Sequence, residues 1–228
     1  MEDLKKIKKN IKEDWLDSFP DLYPFTLNKY YKIVGCCVMG IELVNVPNTG
    51  EYRPHFVMYP LWKANVKECL DAPYFYISLV DDKGLQFSVP YMKHEQYFKK
   101  SLENVKTQMP LLLTGDVNLN SLFQYVDSWF ENIMIQASLI SQTRICELEF
   151  YTALYIGNQN DTQDVLDVIR ERSKKWNMTV FDIWNKNFDL WFENLKNMIN
   201  QKDDYLQRIK FNQNDKKISS LKRFEIVI

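Results

Sequence analysis

Two long runs of strand-forming residues, Lys29 to Val46 and Tyr52 to Trp62, flank the polar turn Pro47-Asn48-Thr49-Gly50, and they limit the fold more than any other feature of the chain. The pair reads as a long β-hairpin. Within its first arm, KIVGCCVMGIEL sets two adjacent cysteines among glycines. That nearly unbroken apolar run predicts a strand packed on both faces, with the glycines permitting close approach or a bulge. A second hairpin is expected where Tyr74 to Val80 and Leu85 to Val89 flank Asp81-Asp82-Lys83-Gly84, a sequence suited to a turn with positive φ near its end. Four strands in succession favour an antiparallel meander.

Helical periodicity surrounds this sheet. Leu4, Ile7, Ile11, Trp15 and Leu16 recur at helical spacing, with Lys5, Lys6, Lys8, Lys9 and Lys12 on the other side, and Pro20 ends the segment. Glu13, Asp14 and Asp17 accompany the lysines, so that side reads as a solvated face. After Pro90 the stripe Tyr97, Phe98, Leu102, Val105 predicts a helix, and Asn118 or Asn120 caps another carrying Leu122, Val126, Trp129 and Phe130. Three further helices are expected at Ile133 to Tyr155, Thr162 to Trp176 and Thr179 to Asn200, with the first two separated by Gly157-Asn158-Gln159-Asn160-Asp161. In the last of them Val180, Trp184, Phe188, Trp191, Leu195 and Met198 form one stripe that requires a partner surface. Gln201 to Lys217 reads as a polar connection, and Ile218 to Ile228 as a strand returning to a sheet edge. The fold class is therefore α+β: an N-terminal helix and an antiparallel sheet of about four strands, then a helical C-terminal half. Residues 1–130 form the sheet domain, and residues 131–228 a helical region that is either separate or a layer of the same domain.

A chain of 228 residues buries enough surface to fold without disulfides or metals. Its 29 Lys plus Arg nearly balance 30 Asp plus Glu, so no overall field favours nucleic acid. Neither a secretory signal nor an apolar segment of the roughly 20 residues needed to span a bilayer is present, which predicts a cytoplasmic location and no membrane partner.

The reactive residue types are sparse. Adjacent strand residues point to opposite faces, so Cys36 and Cys37 read as buried thiols, like Cys69 and Cys146. The two histidines are His55 and His94, and a dyad of Cys37 with His55 across the first hairpin is the one nucleophile arrangement to consider. No Cys-x-x-Cys, His-x-x-x-His or phosphate-binding glycine pattern occurs, so no metal, cofactor or catalytic set is expected. Asp81 and Asp82 suit a turn, while Glu147 and Glu149 stand two apart on a helix and diverge. Aromatic residues make up 14% of the chain, and most must fill the core. Tyr52, Arg53, Tyr59, Trp62 and Tyr74 are the candidate partner-binding residues, because Tyr, Trp and Arg anchor protein interfaces.

The succession GCCVMGIEL, a polar turn, YRPHFVMYPLW and then LLLTGDVNLNSLFQYVDSW, over Ile33 to Trp129, resembles bacterial immunity proteins of contact-dependent and polymorphic toxin systems. The likeness lies in hydrophobic pattern, not in a chemical motif. It implies a non-enzymatic protein that neutralises another protein, such as a toxin, by binding it. The competing expectations are a metal-dependent hydrolase or nuclease built on scattered carboxylates, and an oligomeric assembly subunit joined through the stripe from Val180 to Met198.

Overall fold

The structure is a computed structural model that describes residues 2–157, 159–185 and 187–228, the side chains of 2–4, 159 and 160 excepted. Helix α1 (Glu2–Ser18) leads through a two-residue strand β1 (Tyr23–Pro24) into the predicted hairpin region. There Gly35 divides the first arm. Strands β2 (Lys29–Val34) and β3 (Cys37–Val46) are antiparallel with Val34 opposite Cys37, and Gly35 takes φ 51° in the two-residue turn between them. The single strand expected from Lys29 to Val46 is thus two strands. A tight turn with positive φ at its first position matches the twist of the flanking strands, and glycine enters it without strain. Beyond the second turn, where Asn48 and Gly50 have φ 66° and 69°, β3 pairs with β4 (Glu51–Pro60) in register from Val46–Glu51 to Cys37–Pro60.

Each outer edge of this three-stranded unit is closed by two short pieces of chain. Along β2, β1 pairs antiparallel with Tyr30 and Tyr31, and β8 (Arg223–Phe224) pairs parallel with Ile33 and Val34. Along β4, β5 (Phe75–Ser78) covers His55 to Met58, and β6 (Val89–Pro90) covers Glu51 and Tyr52. The second predicted hairpin is corrected accordingly: only Val80 and Gln86 bridge, and the returning segment joins β4 instead of β5. A four-residue β5 leaves the start of a ten-residue β4 unpaired, and Val89–Pro90 fills that gap. The expected terminal edge strand is present, split so that β9 (Ile226–Val227) pairs with β7 (Val117–Asn118).

The remaining elements are α2 (Val66–Cys69), α3 (His94–Gln108), α4 (Leu119–Phe130), α5 (Ile133–Gln136), α6 (Leu139–Ile156), α7 (Gln159–Ser173), α8 (Met178–Asn185), α9 (Phe188–Asn200) and α10 (Lys202–Gln213). Asn118 caps α4 by accepting from the Ser121 amide at 3.1 Å. Two expected helices are broken by caps. Ser138 accepts from the Ser141 amide at the start of α6, and Asn187 accepts from the Leu190 amide at the start of α9. The polar connection expected from Gln201 to Lys217 is mostly α10, whose inner face buries Tyr205, Ile209 and Asn212. Asn158 and the side chain of Leu4 lie outside the described residues.

Tyr30, Lys32, Tyr52, Phe56 and Met58 share one sheet face. Trp15 of α1, His94 of α3 and Tyr125 of α4 meet that face. At the turn end, Thr152 of α6 lies 3.7 Å from the Cys36 sulfur, and Tyr151 stacks on Trp62. The apolar core is contiguous from Ile11 to Ile226 and draws on both halves of the chain. No helix among the described residues is long and apolar enough to cross a membrane.

Gly40 separates backbone strain from close packing. A Cβ there would lie 2.0 Å from the Tyr30 carbonyl oxygen, whereas at Gly50 it would meet nothing within 4 Å. Gly40→Ala is expected to cost about 3 kcal/mol or more, and Gly50→Ala only about 1 kcal/mol of left-handed strain. Guanidinium unfolding midpoints check both values.

Candidate protein-interaction face

The structure disperses the five sequence-predicted partner residues. Tyr52 is fully buried, with its hydroxyl 2.8 Å from His94 Nδ1 and 3.3 Å from the Trp15 indole nitrogen. Tyr59 donates at 2.7 Å to Glu42, which also accepts from Tyr31 and from Lys29 at 3.0 Å. Burial and the Glu42 carboxylate push both phenols well above the usual tyrosine value. Trp62 stacks on Tyr151 at 4.7 Å and meets Tyr74 edge-on at 5.5 Å. Arg53 is half-buried and donates to Ser88 at 2.8 Å and to Gln86. Tyr52, Tyr59 and Trp62 are therefore core residues and offer no ring face to a partner. Tyr74 is buried too, but it lines a surface cavity.

The groups weighed for catalysis stand apart. His55 lies opposite Glu42 while Cys37 lies opposite Pro60, so the dyad would have to cross five β4 positions, roughly 17 Å at strand rise. His55 instead contacts the Arg53 carbonyl at 3.0 Å and stacks on Tyr76 at 4.7 Å. All four cysteines are buried free thiols. Asp81 accepts from the amides of Lys83 and Leu85 at 2.9 and 3.0 Å, which is turn chemistry, and Asp82 pairs with Lys100 at 2.9 Å. Glu147 and Glu149 diverge as their spacing requires: one accepts from the Trp191 indole at 2.8 Å, the other pairs with Arg172 at 2.5 Å. Among the described residues no group of three His, Cys, Asp or Glu side chains is placed to hold a metal ion.

Among the described residues, an exposed apolar concentration lies on α8. This helix buries Phe181, which stacks on Trp176 at 5.7 Å and meets Phe188 and Trp191 at 5.5 Å. Hydrogen bonds from Trp176 to Gln142 and from Trp191 to Glu147 fix the segments on either side to α6. Val180, Ile183 and Trp184, at spacings of three and four, turn outward and are 48%, 82% and 41% exposed, with Leu190 of α9 at 58%. Next to Trp184 opens a cavity of about 250 Å³, lined also by Lys63, Tyr74, Arg144 and Glu147. The Lys63 ammonium lies 4.9 Å over the Tyr74 ring, and Arg144 donates to the Pro73 carbonyl at 3.4 Å. Trp, Tyr and Arg, the residue types that dominate interface energetics, thus converge on one concavity beside exposed aliphatic side chains.

Sequence reasoning placed Val180, Trp184, Phe188, Trp191, Leu195 and Met198 on one continuous stripe. The cap at Asn187 divides it, so that Trp191 and Leu195 turn inward while Val180 and Trp184 stay out. Asn187 ahead of an apolar run with Asp189 in the first turn is a start signal that could have located the break. Comparison of the chain with family models, with curated proteins and with solved structures finds no match.

Surface and core positions should separate cleanly in stability. Ile183→Asp and Trp184→Ala are expected to change the unfolding free energy by less than about 1 kcal/mol, and Trp62→Ala to cost about 3–5 kcal/mol. Urea titration of the three variants measures this.

Proposed function

We propose that the protein is a non-enzymatic, cytoplasmic binding protein that engages another protein through the α8 face and the cavity beside Trp184. Following the resemblance to immunity proteins, that partner is a toxin which the protein neutralises by occlusion. The observation that carries this reading is the outward placement of Val180, Ile183 and Trp184 next to a cavity walled by Tyr74 and Arg144. Apolar side chains held in water gain free energy when covered, at about 25 cal/mol per Å², and large exposed apolar residues gathered around a pocket mark interaction sites. Glu42, Glu147 and Glu149, three of the buried or half-buried carboxylates, each serve an internal donor.

Affinity capture from the native host, together with co-expression of the product of the adjacent gene, tests the proposal. Wild-type protein should retain one stoichiometric protein partner. Ile183→Asp and Trp184→Ala, folded by circular dichroism, should bind it about 30-fold more weakly, the effect of losing a hot-spot anchor of roughly 2 kcal/mol. Absence of a stoichiometric partner, or equal recovery by the variants, would contradict the proposal.

A further inference from the structure

We infer that Asp14, Trp15, Tyr52 and His94 form an acid-sensitive latch, which holds α1 against the sheet and releases it when His94 takes up a second proton. The four side chains make a directed chain. The Trp15 indole N–H can only donate, and it reaches the Tyr52 hydroxyl oxygen at 3.3 Å. That hydroxyl donates to His94 Nδ1 at 2.8 Å, and His94 Nε2–H donates to the Asp14 carboxylate at 2.9 Å. α1, β4 and α3 are joined through this chain, buried at Trp15, Tyr52 and His94 and open to solvent at Asp14, and a singly protonated imidazole satisfies every member.

A second proton breaks this consistency. Nδ1–H and the Tyr52 O–H would then both be donors, and the fully buried hydroxyl hydrogen would lose its acceptor. The groups facing His94 divide as follows. From α1, Asp14 and Glu13 favour the charged ring, as does Glu95 beside it. Lys93, its neighbour in the chain, opposes it, while Tyr52 of β4 and Tyr91 of the preceding turn are neutral. Asp14 is 44% exposed, so its carboxylate is solvated and its pull is weakened. Burial outweighs these attractions and holds His94 below the usual histidine value.

The surroundings allow α1 to move. A cavity of about 610 Å³ is lined by Ile7, Asn10, Glu13 and Asp14 of α1 and by the Tyr91 to Gln96 segment, so the Asp14–His94 end of the latch borders open space. The apolar side chains released with α1 would be Ile11, Trp15 and Phe19. A histidine held low in the docked state stabilises docking above its ordinary value near 6.5. That contribution is lost as pH falls through the lowered value, and opening of α1 rises by up to about tenfold per pH unit in between.

Hydrogen-exchange mass spectrometry of the full chain at pH 7.5 and pH 5.0, corrected for the chemical exchange rate, reads α1 directly. Peptides from α1 should open about tenfold more at the lower pH while β3 is unchanged. His94→Gln preserves the chain, its amide oxygen accepting from Tyr52 and its N–H donating to Asp14, but it cannot titrate; the response should disappear. Asp14→Asn removes the attraction for the charged ring, holds docked His94 lower still and should enlarge the opening of α1 between pH 7.5 and pH 5.0, and His55→Gln should leave the response intact. Equal α1 protection at both pH values in the wild type, an unaltered response in His94→Gln, or a response in Asp14→Asn no larger than in the wild type would each overturn the inference.

Discussion

Burial of the β3–β4 ladder on both faces is the constraint from which the rest of the architecture follows. Residues 37–43 and 54–60 are buried throughout, so this stretch of the strand pair is a middle layer and cannot serve as a solvent-facing surface. A sheet packed in this way must close its edges as well as cover its faces, because unpaired backbone groups there would stay exposed for pairing with other chains. The chain meets that demand with segments remote in sequence. Residues 23–24 and 223–224 share one edge, and residues 75–78 and 89–90 share the other. Lys32 illustrates how fully the interior is used: its amine is buried, donates to the carbonyls of Leu111 and Thr114, lies over the Phe224 ring and is pushed down to about 8 by desolvation.

Much of this fold was legible because it is written in local chemistry. Residues 47–50 carry turn formers between apolar runs, Asn118 caps a helix, and Asp81 with Gly84 closes a turn by side-chain acceptance and positive φ. The features that escaped depend on tertiary context. Gly35 lies within an apolar run, and nothing local says whether such a glycine bends a strand or lets another backbone approach. The α10 sequence is polar around most of its circumference, and its helicity is supported by burying Tyr205 and Ile209, not by a strong apolar stripe. Arrival of Val89–Pro90 on β4 is set by the length mismatch between β4 and β5, which no local pattern encodes.

The candidate site was less legible than the fold, for a physical reason. Aromatic residues are used both as core filling and as interface anchors, and composition cannot divide them. Tyr52, Tyr59 and Trp62 went to the core because the hairpin that carries them is the middle layer, whereas Val180, Ile183 and Trp184 stayed outside because α8 is anchored through Phe181 and short enough to present its opposite side. The polar groups follow a parallel rule. Glu42, Glu147, Glu149 and Asp81 each hold donors from this same chain, so their charge supports structure and does not gather into a reactive cluster. The exposed apolar side chains at α8 are what the proposed binding role rests on.

Photo-crosslinking in the native host tests that claim most directly. A benzophenone amino acid at position 183 on α8 is compared with the same group at position 85, equally a site of exposed apolar side chain but in the loop away from α8. The account predicts one discrete crosslinked protein from position 183 and none from position 85. No adduct at position 183, or the same diffuse products from both positions, would contradict it.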